Sequence, residues 1–382
     1  VTKGAAGDLR ELALVFLKVG TVAFGGPAAH IAMMEDEVVH RRKWLSREAF
    51  LDYLGATNLI PGPNSTELAI HIGHARADWR GLLVAGIAFI LPAALIVTAL
   101  AWASVEYGTV PAASGLLYGV KPVVIAIVAQ ATWRLAQTAI RTPTLALLAA
   151  LTLGGTALGL SELTLLAAAG LIAMLTTSGA PRSDTPAIAP LAIPWIGVSA
   201  AGATAAAAAT PFTFATLFTT FAKIGAVLFG SGYVLIAFLR ADFVERLGWL
   251  TNPQLLDAVA IGQVTPGPVF TTVTFVGYLM AGVPGALVAT VGIFLPAFVF
   301  VAISGPVTPR LRRSPRASAA LDGVIVASLA IMLAVTVVLG RAALVDPLTV
   351  LIAVAAAIAL TRFKVNATWL IGAGALVGLP HG

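Results

Sequence analysis

The sequence predicts an all-α, polytopic membrane protein built from two homologous halves in opposite orientations, each interrupted by broken helices. Three observations carry this reading. The first is composition. The chain has 382 residues, 59% hydrophobic and only 10% charged, with a mean hydropathy of +0.95, whereas a soluble domain carries about 25% charged residues. The second is an internal repeat at an offset of 205 residues. The third is that equivalent loops of the two copies carry opposite charge bias. The net charge of +6 is spread over short stretches between apolar segments, a pattern of loop topology and not of nucleic-acid binding. The absence of cysteine excludes disulfides, thiolate metal sites and cysteine nucleophiles. The start, "VTKGAAGDLRELALVF", lacks the layout of a cleaved signal peptide.

Apolar runs occupy 12–34, 81–104, 114–140, 144–160, 162–177, 190–209, 212–239, 284–304, 318–340, 346–361 and 366–380. A spanning helix needs about 20 apolar residues, so the shorter runs are expected to be tilted or buried in the bundle. The segments 35–48 and 240–250 read as amphipathic and are expected at the membrane surface. The stretch "SGAPRSDTPAIAP" at 178–190 is polar and proline-rich. The expected division is therefore 1–178, a linker with a connecting helix at 179–210, and 211–382.

The repeat pairs "FLKVGTVAFGGP" (16–27) with "FAKIGAVLFGSG" (221–232), Trp44-Leu45 with Trp249-Leu250, and Asp52 with Asp257. Across 16–63 against 221–268 there are 17 identities in 48 positions. After a one-residue gap, Gly81, Pro92 and Gly119 pair with Gly285, Pro296 and Gly323. Orientation follows from the loops, because cytoplasmic loops are rich in Lys and Arg. The loop 105–113 has no positive charge, while its counterpart 305–317 carries Arg310, Arg312, Arg313 and Arg316. Conversely, Arg76 and Arg80 precede one span and the matching stretch 278–284 has none. The basic residues in both 35–48 and 240–250 run against this pattern, softened by Asp242 and Glu245.

Two breaks recur in each copy. "LIPGPNSTELAIH" (59–71) and "VTPGPVFTTV" (264–273) share Pro61-Gly62-Pro63 and Pro266-Gly267-Pro268. Proline inside a helix removes a donor and clashes with the preceding turn, whereas Pro63 suits the first position of a new helix. Backbone N–H groups at such a start form an anion site. Inside a membrane, broken backbone survives only where it is buried in protein or lines a cavity, and inverted repeats with broken helices mark secondary transporters. The second break is Gly25, Gly26 and Pro27, matched by Gly230, Ser231 and Gly232. Seven residues ahead of Gly25 and Gly230 stand Lys18 and Lys223, about 10 Å along the same helix face. Two lysines and two helix starts would make a positive pocket suited to a small dianion.

Each feature also has a plainer reading. Pro-Gly-Pro can be a loop between short helices, and the lysines can snorkel to the interface. Glu67, His71 and His74 share a helix face, yet the second half has no such residues, so no metal is expected. Asp52 and Asp257 are helix-surface charges or coupling carboxylates. His30 has no partner in the repeat and reads as a packed polar residue.

The segments "FGGPAAHIAMMEDEVVHRRKWLSREAF", "NLIPGPNSTELAIHIG", "FILPAAL", "FGSGYVLIAFLRADFVERLGWL" and "GQVTPGPVFTTVTFVGYLMAG" resemble the long-chain, two-domain chromate ion transporters of bacteria. The resemblance covers both halves. It implies about ten spans and efflux of chromate across the bacterial inner membrane, driven by the proton motive force and conferring chromate resistance. One departure is "FGSG" at 229–232, where many members read FGGG.

The expected substrate-binding residues are Lys18, Asn58, Asn64, Ser65, Thr66, Lys223, Gln263, Thr271 and Thr272. Glu67, Asp52 and Asp257 are the candidates for proton coupling. The expected partners are chromate or a sulfate-like dianion, protons and the lipid bilayer, with a homodimer left open. No cofactor, metal or nucleic acid is expected. The alternatives are a transporter of sulfate or another oxyanion, and a passive anion channel. An intramembrane enzyme would need a nucleophile with a base or a metal cluster, and neither pattern is present in the sequence.

Overall fold

A computed structural model of the chain describes residues 7–24, 26–57, 59–108, 111–176, 211–229, 232–312 and 315–381. Gly25, Asn58, Gly230, Ser231 and the expected linker at 179–210 lie outside the described residues. The described residues form helices and no strand. The first half runs α1 (Gly7–Val22), α2 (Pro27–Glu35, continued by a π-helical stretch Asp36–Arg41), α3 (Arg47–Thr57), α4 (Asn64–Tyr107), α5 (Pro111–Ala139), α6 (Pro143–Ala157) and α7 (Glu162–Thr176). The second half repeats this order as α8 (Phe214–Val227), α9 (Leu235–Leu239, continued by a π-helical stretch Arg240–Arg246), α10 (Asn252–Val264), α11 (Thr272–Arg312), α12 (Pro315–Ala343), α13 (Pro347–Arg362) and α14 (Ala367–Gly378). Among the described residues, four segments are long and apolar enough to cross a membrane: Asn64–Tyr107, Ser114–Ala139, Val269–Ile303 and Pro315–Ala343. Leu95, Trp133 and Leu287 on these helices are exposed, as lipid-facing side chains should be.

Each half folds through three successive reversals. The first turns between α1 and α2, so the two arms run antiparallel. Lys18 then meets Glu37 at 2.7 Å, and Arg42 meets Glu11 at 3.2 Å. In the second half, Lys223 meets Asp242 at 2.6 Å in the same way. The second reversal is at Pro-Gly-Pro. Tyr53 of α3 stacks on His71 of α4 with ring centroids 5.6 Å apart. The third lies inside α4, at Ala77 (φ −146°, ψ 38°) and Asp78 (φ 48°, ψ −141°), with its counterpart at Ala281 and Gly282 of α11. There residues 64–76 double back onto the start of 79–107. A Cβ on Gly73 would stand 2.2 Å from the carbonyl oxygen of Gly81, so only glycine allows this backbone approach. Thr274 and Thr290 share a hydrogen bond of 2.7 Å across the matching pair of arms in α11.

At 1.5 Å per residue, the arms leading to the first two reversals are about 16–24 Å long. Each is shorter than a hydrocarbon core about 30 Å thick, so one such arm does not cross it alone.

The halves are inverted. α5 and α12 are equivalent in the repeat, yet they pack against each other antiparallel. Tyr118 near the start of α5 donates to Asp346 just beyond the end of α12. Gly340 packs near Ile125, and Thr138 at the end of α5 shares a cavity with Asp322 near the start of α12. An in-plane two-fold makes equivalent spans antiparallel. The short apolar helices exchange across it. α6 and α7 pack on α12, while α13 and α14 pack on α5.

Asp346 also caps α13, accepting from the Thr349 backbone N–H at 2.8 Å while the Thr349 hydroxyl accepts from the Asp346 backbone N–H at 3.1 Å. The Tyr118 hydroxyl first, and then the Thr349 N–H, hold the Asp346 carboxyl below its ordinary value of 3.8. The resulting stability is present above that ordinary value and is lost as pH falls through the lowered one. Asp346→Ala should therefore lower the melting temperature in detergent at neutral pH, and the difference from the parent protein should shrink on acidification.

Candidate functional site

The four tips meet crosswise. The Gly62 N–H donates to the Leu228 carbonyl at 2.8 Å, and the Gly267 N–H donates to the Ala23 carbonyl at 3.2 Å. Donors and acceptors alike differ by 205 residues, so the Pro-Gly-Pro tip of each half docks on the first break of the other. Both glycines have positive φ, 138° at Gly62 and 92° at Gly267. Pro63 (φ −80°, ψ 92°) and Pro268 (φ −63°, ψ 128°) precede the new helices.

His30 lies at this crossing and is fully buried. Its Nε2 is 3.2 Å from the Ala23 carbonyl, and its Nδ1 is 3.2 Å from the Ser65 hydroxyl. A carbonyl can only accept, so Nε2 carries the proton and Nδ1 accepts from Ser65. His30 thus ties α2 to the start of α4 and shares Ala23 with the opposite half. The repeat comparison discounts it because its counterpart is Leu235. The signal that points to it is position, three residues after a glycine break.

The expected binding residues fall into three groups. Ser65, Thr66, Thr271 and Thr272 are buried around the tips. The Thr271 and Thr272 hydroxyls donate to the Pro268 and Val269 carbonyls, at 2.7 and 2.8 Å, and must rotate to meet an anion. The Thr66 hydroxyl and the Gln263 amide nitrogen are buried with no hydrogen-bond partner. These are two donors that an oxyanion would satisfy. Asn64 lines a cavity of about 250 Å³ with Thr57, Ile60, Thr138, Arg141 and Asp322.

Lys18 and Lys223 form the third group, away from the tips in ion pairs. Glu37 receives Lys18 and Arg42, with Arg41 at 3.6 Å. Asp242 receives Lys223 at 2.6 Å and Arg246 at 2.7 Å. Arg41 also meets Asp36 and Arg42 meets Glu11, so the first cluster balances three cations with three carboxylates. In the second, Asp242 takes Lys223 and Arg246 while Glu245 takes Arg240. Asp257 is 2.9 Å from Lys121 of the other half, a partner that sequence reasoning missed. Asp52 lies exposed on α3. Among the described residues no group of three or more His, Asp or Glu could hold a metal.

Sidedness follows from connectivity. α4 leaves the membrane face at Arg76 and Arg80, and α5 returns to it at Arg134 and Arg141. Because α12 is antiparallel to α5, the start of α12 with Arg316 is on that face too. By the positive-inside rule this face is cytoplasmic. The cavity that reaches Asn64 lies at this end. The segment 240–250 falls on the opposite face despite its arginines. Its charges are internally matched, with Arg240 on Glu245 at 2.5 Å and Arg246 on Asp242.

The chain matches the family model described as Chromate transporter twice, over residues 10–174 and 215–379. It is 33% identical over 386 residues to the chromate transport protein of Cupriavidus metallidurans, covering 97% of this chain and 92% of that protein. It is 33% identical over 355 residues to a probable chromate transport protein of Synechococcus elongatus, covering 92% and 89%. Against a chromate transport protein of Pseudomonas aeruginosa the identity is 33% over 316 residues, covering 81% and 76%. No solved structure matches the chain.

Proposed function

The chain belongs to the chromate transporter family, and from that premise we propose that it exports chromate across the bacterial inner membrane, driven by the proton motive force. The observation that carries this reading is the crosswise meeting of four helix tips inside the helix bundle. There the Thr66 hydroxyl and the Gln263 amide lack acceptors, and a cavity reaches Asn64 from the arginine-rich face. A tetrahedral dianion offers acceptors in every direction and suits both these donors and the helix start after Pro63. Ser65, Thr271 and Thr272 supply further hydroxyls. Lys18 and Lys223 are held in ion pairs with Glu37 and Asp242 and act on the anion only at longer range. A cavity open to the cytoplasmic face is the form that an exporter loads. The protein acts as a transporter and carries out no covalent chemistry.

The test is uptake of radiolabelled chromate into everted vesicles, with and without a protonophore and excess sulfate. Uptake that requires the protein and collapses with the protonophore is expected. Uptake insensitive to the protonophore would instead mark a passive anion channel. Labelled sulfate accumulating while chromate matches empty vesicles would place the protein in sulfate traffic.

A further inference from the structure

Glu67 is a carboxyl group deep in the bundle, in the first turn of the arm that leaves the Pro-Gly-Pro tip. It is fully buried, and neither oxygen has a hydrogen-bond partner. The lysines of the membrane region are engaged elsewhere: Lys18 on Glu37, Lys121 on Asp257, and Lys223 on Asp242. The carboxyl curls over the tip itself, where a Cβ on Gly62 would stand 2.3 Å from its Oε1. Gly62 is the residue whose N–H holds the Leu228 carbonyl of the other half.

The titratable groups whose contacts lead to it belong to the first half. His71 lies one turn along α4, with a buried, unpartnered Nε2, and Tyr53 of α3 stacks on its ring. His30 of α2 reaches the same turn through Ser65. From the second half, α11 brings the Ala297 methyl to this tip and packs Val301 and Phe298 with Ile60 and Ile70 beside it, all of them apolar, and the end of α8 presents the Leu228 carbonyl. In the repeat, Leu235, Ala258 and Phe275 stand where the first half has His30, Tyr53 and His71. Glu67 falls opposite the hydroxyls of Thr271 and Thr272.

We propose that Glu67 is the site that takes up and releases the coupling proton, and that the first half alone carries this coupling. This rests on the reading of proton-driven chromate transport. The carboxyl takes a proton from water on one face and returns it to water on the other. Release leaves an unpaired charge in a low-dielectric interior, with the Gly62 tip lying against it. Proton release is thereby tied to parting of the Gly62–Leu228 contact, the contact that must change when the tips separate. An intramembrane carboxyl facing the bundle interior is the group type that serves proton relays.

The experiment uses the purified full chain in proteoliposomes, measuring exchange of labelled against unlabelled chromate and, separately, concentrative uptake on an imposed pH gradient. Glu67→Gln should keep exchange and lose pH-driven accumulation to the level of protein-free liposomes. Glu67→Asp should recover accumulation. Accumulation by Glu67→Gln at the parent level would overturn the assignment while leaving proton coupling intact. Loss of exchange in both variants would also overturn it, by making Glu67 a structural residue. If the parent protein itself exchanges chromate but shows no pH-driven accumulation, the broader reading fails and the proposal with it, and the parent trace tells that case apart.

Discussion

Gly267→Ala should abolish chromate transport while leaving the protein inserted in the membrane. Gly267 sits at φ 92°, a region where a side chain costs on the order of 1–3 kcal/mol. The added methyl would also stand 2.8 Å from the Ala93 Cβ and 2.9 Å from the Gly20 carbonyl oxygen. The latter is backbone of a helix packed on α4 and has little room to yield. The tip must then back away, and its N–H loses the Ala23 carbonyl. Gly62→Ala is the informative contrast. Its φ of 138° is also unfavourable, but the new methyl meets chiefly the end of the Glu67 side chain, which can swing aside. Vesicle uptake normalised to the amount of inserted protein should show loss in Gly267→Ala and a smaller defect in Gly62→Ala. Parent-level uptake by Gly267→Ala would mean that the crosswise docking is dispensable.

The second large effect is expected at the pair between Lys121 of α5 and Asp257 of α10. It joins the two halves at 2.9 Å, with each side chain about one-fifth exposed. Removing one partner of a fully buried pair costs about 3–5 kcal/mol. Partial exposure screens this one, so Asp257→Asn should cost about 1–3 kcal/mol, read as a lower melting temperature in detergent and less protein in the membrane. The double exchange Lys121→Asp with Asp257→Lys should restore both. A variant Asp257→Asn that keeps parent stability but loses its response to the pH gradient would instead make Asp257 a coupling carboxylate, the other role that its sequence position allows.

The breaks were legible because proline and glycine act locally: Pro61 and Pro266 interrupt a helix whatever surrounds them. What the chain does after a break was not legible. Pro-Gly-Pro reads as the end of one helix and the start of another, and only the Tyr53–His71 stack shows that the arms reverse. The reversal at Ala77–Asp78 has no proline at all. It is held by the close approach of Gly73 to Gly81, and the apolar run starting at 81 gave no sign of it. The two lysines show the same limit. Their symmetry was visible as an offset of 205, but their partners Glu37 and Asp242, nineteen residues further on, meet them only because α1 and α2, like α8 and α9, fold antiparallel. His30 was discounted for lacking a repeat partner, yet the fold puts it at the crossing, where asymmetry between the halves matters most.

By itself the sequence determined the membrane class, the two-fold repeat, the four breaks and the opposite orientation of the halves. Each of these depends on composition or on the backbone chemistry of single residues. The tertiary structure alone decided which tips touch, which charges pair, and which carboxyl is left without a partner. Those outcomes depend on the direction each arm takes after a break, and that direction is set by packing between segments far apart in the chain.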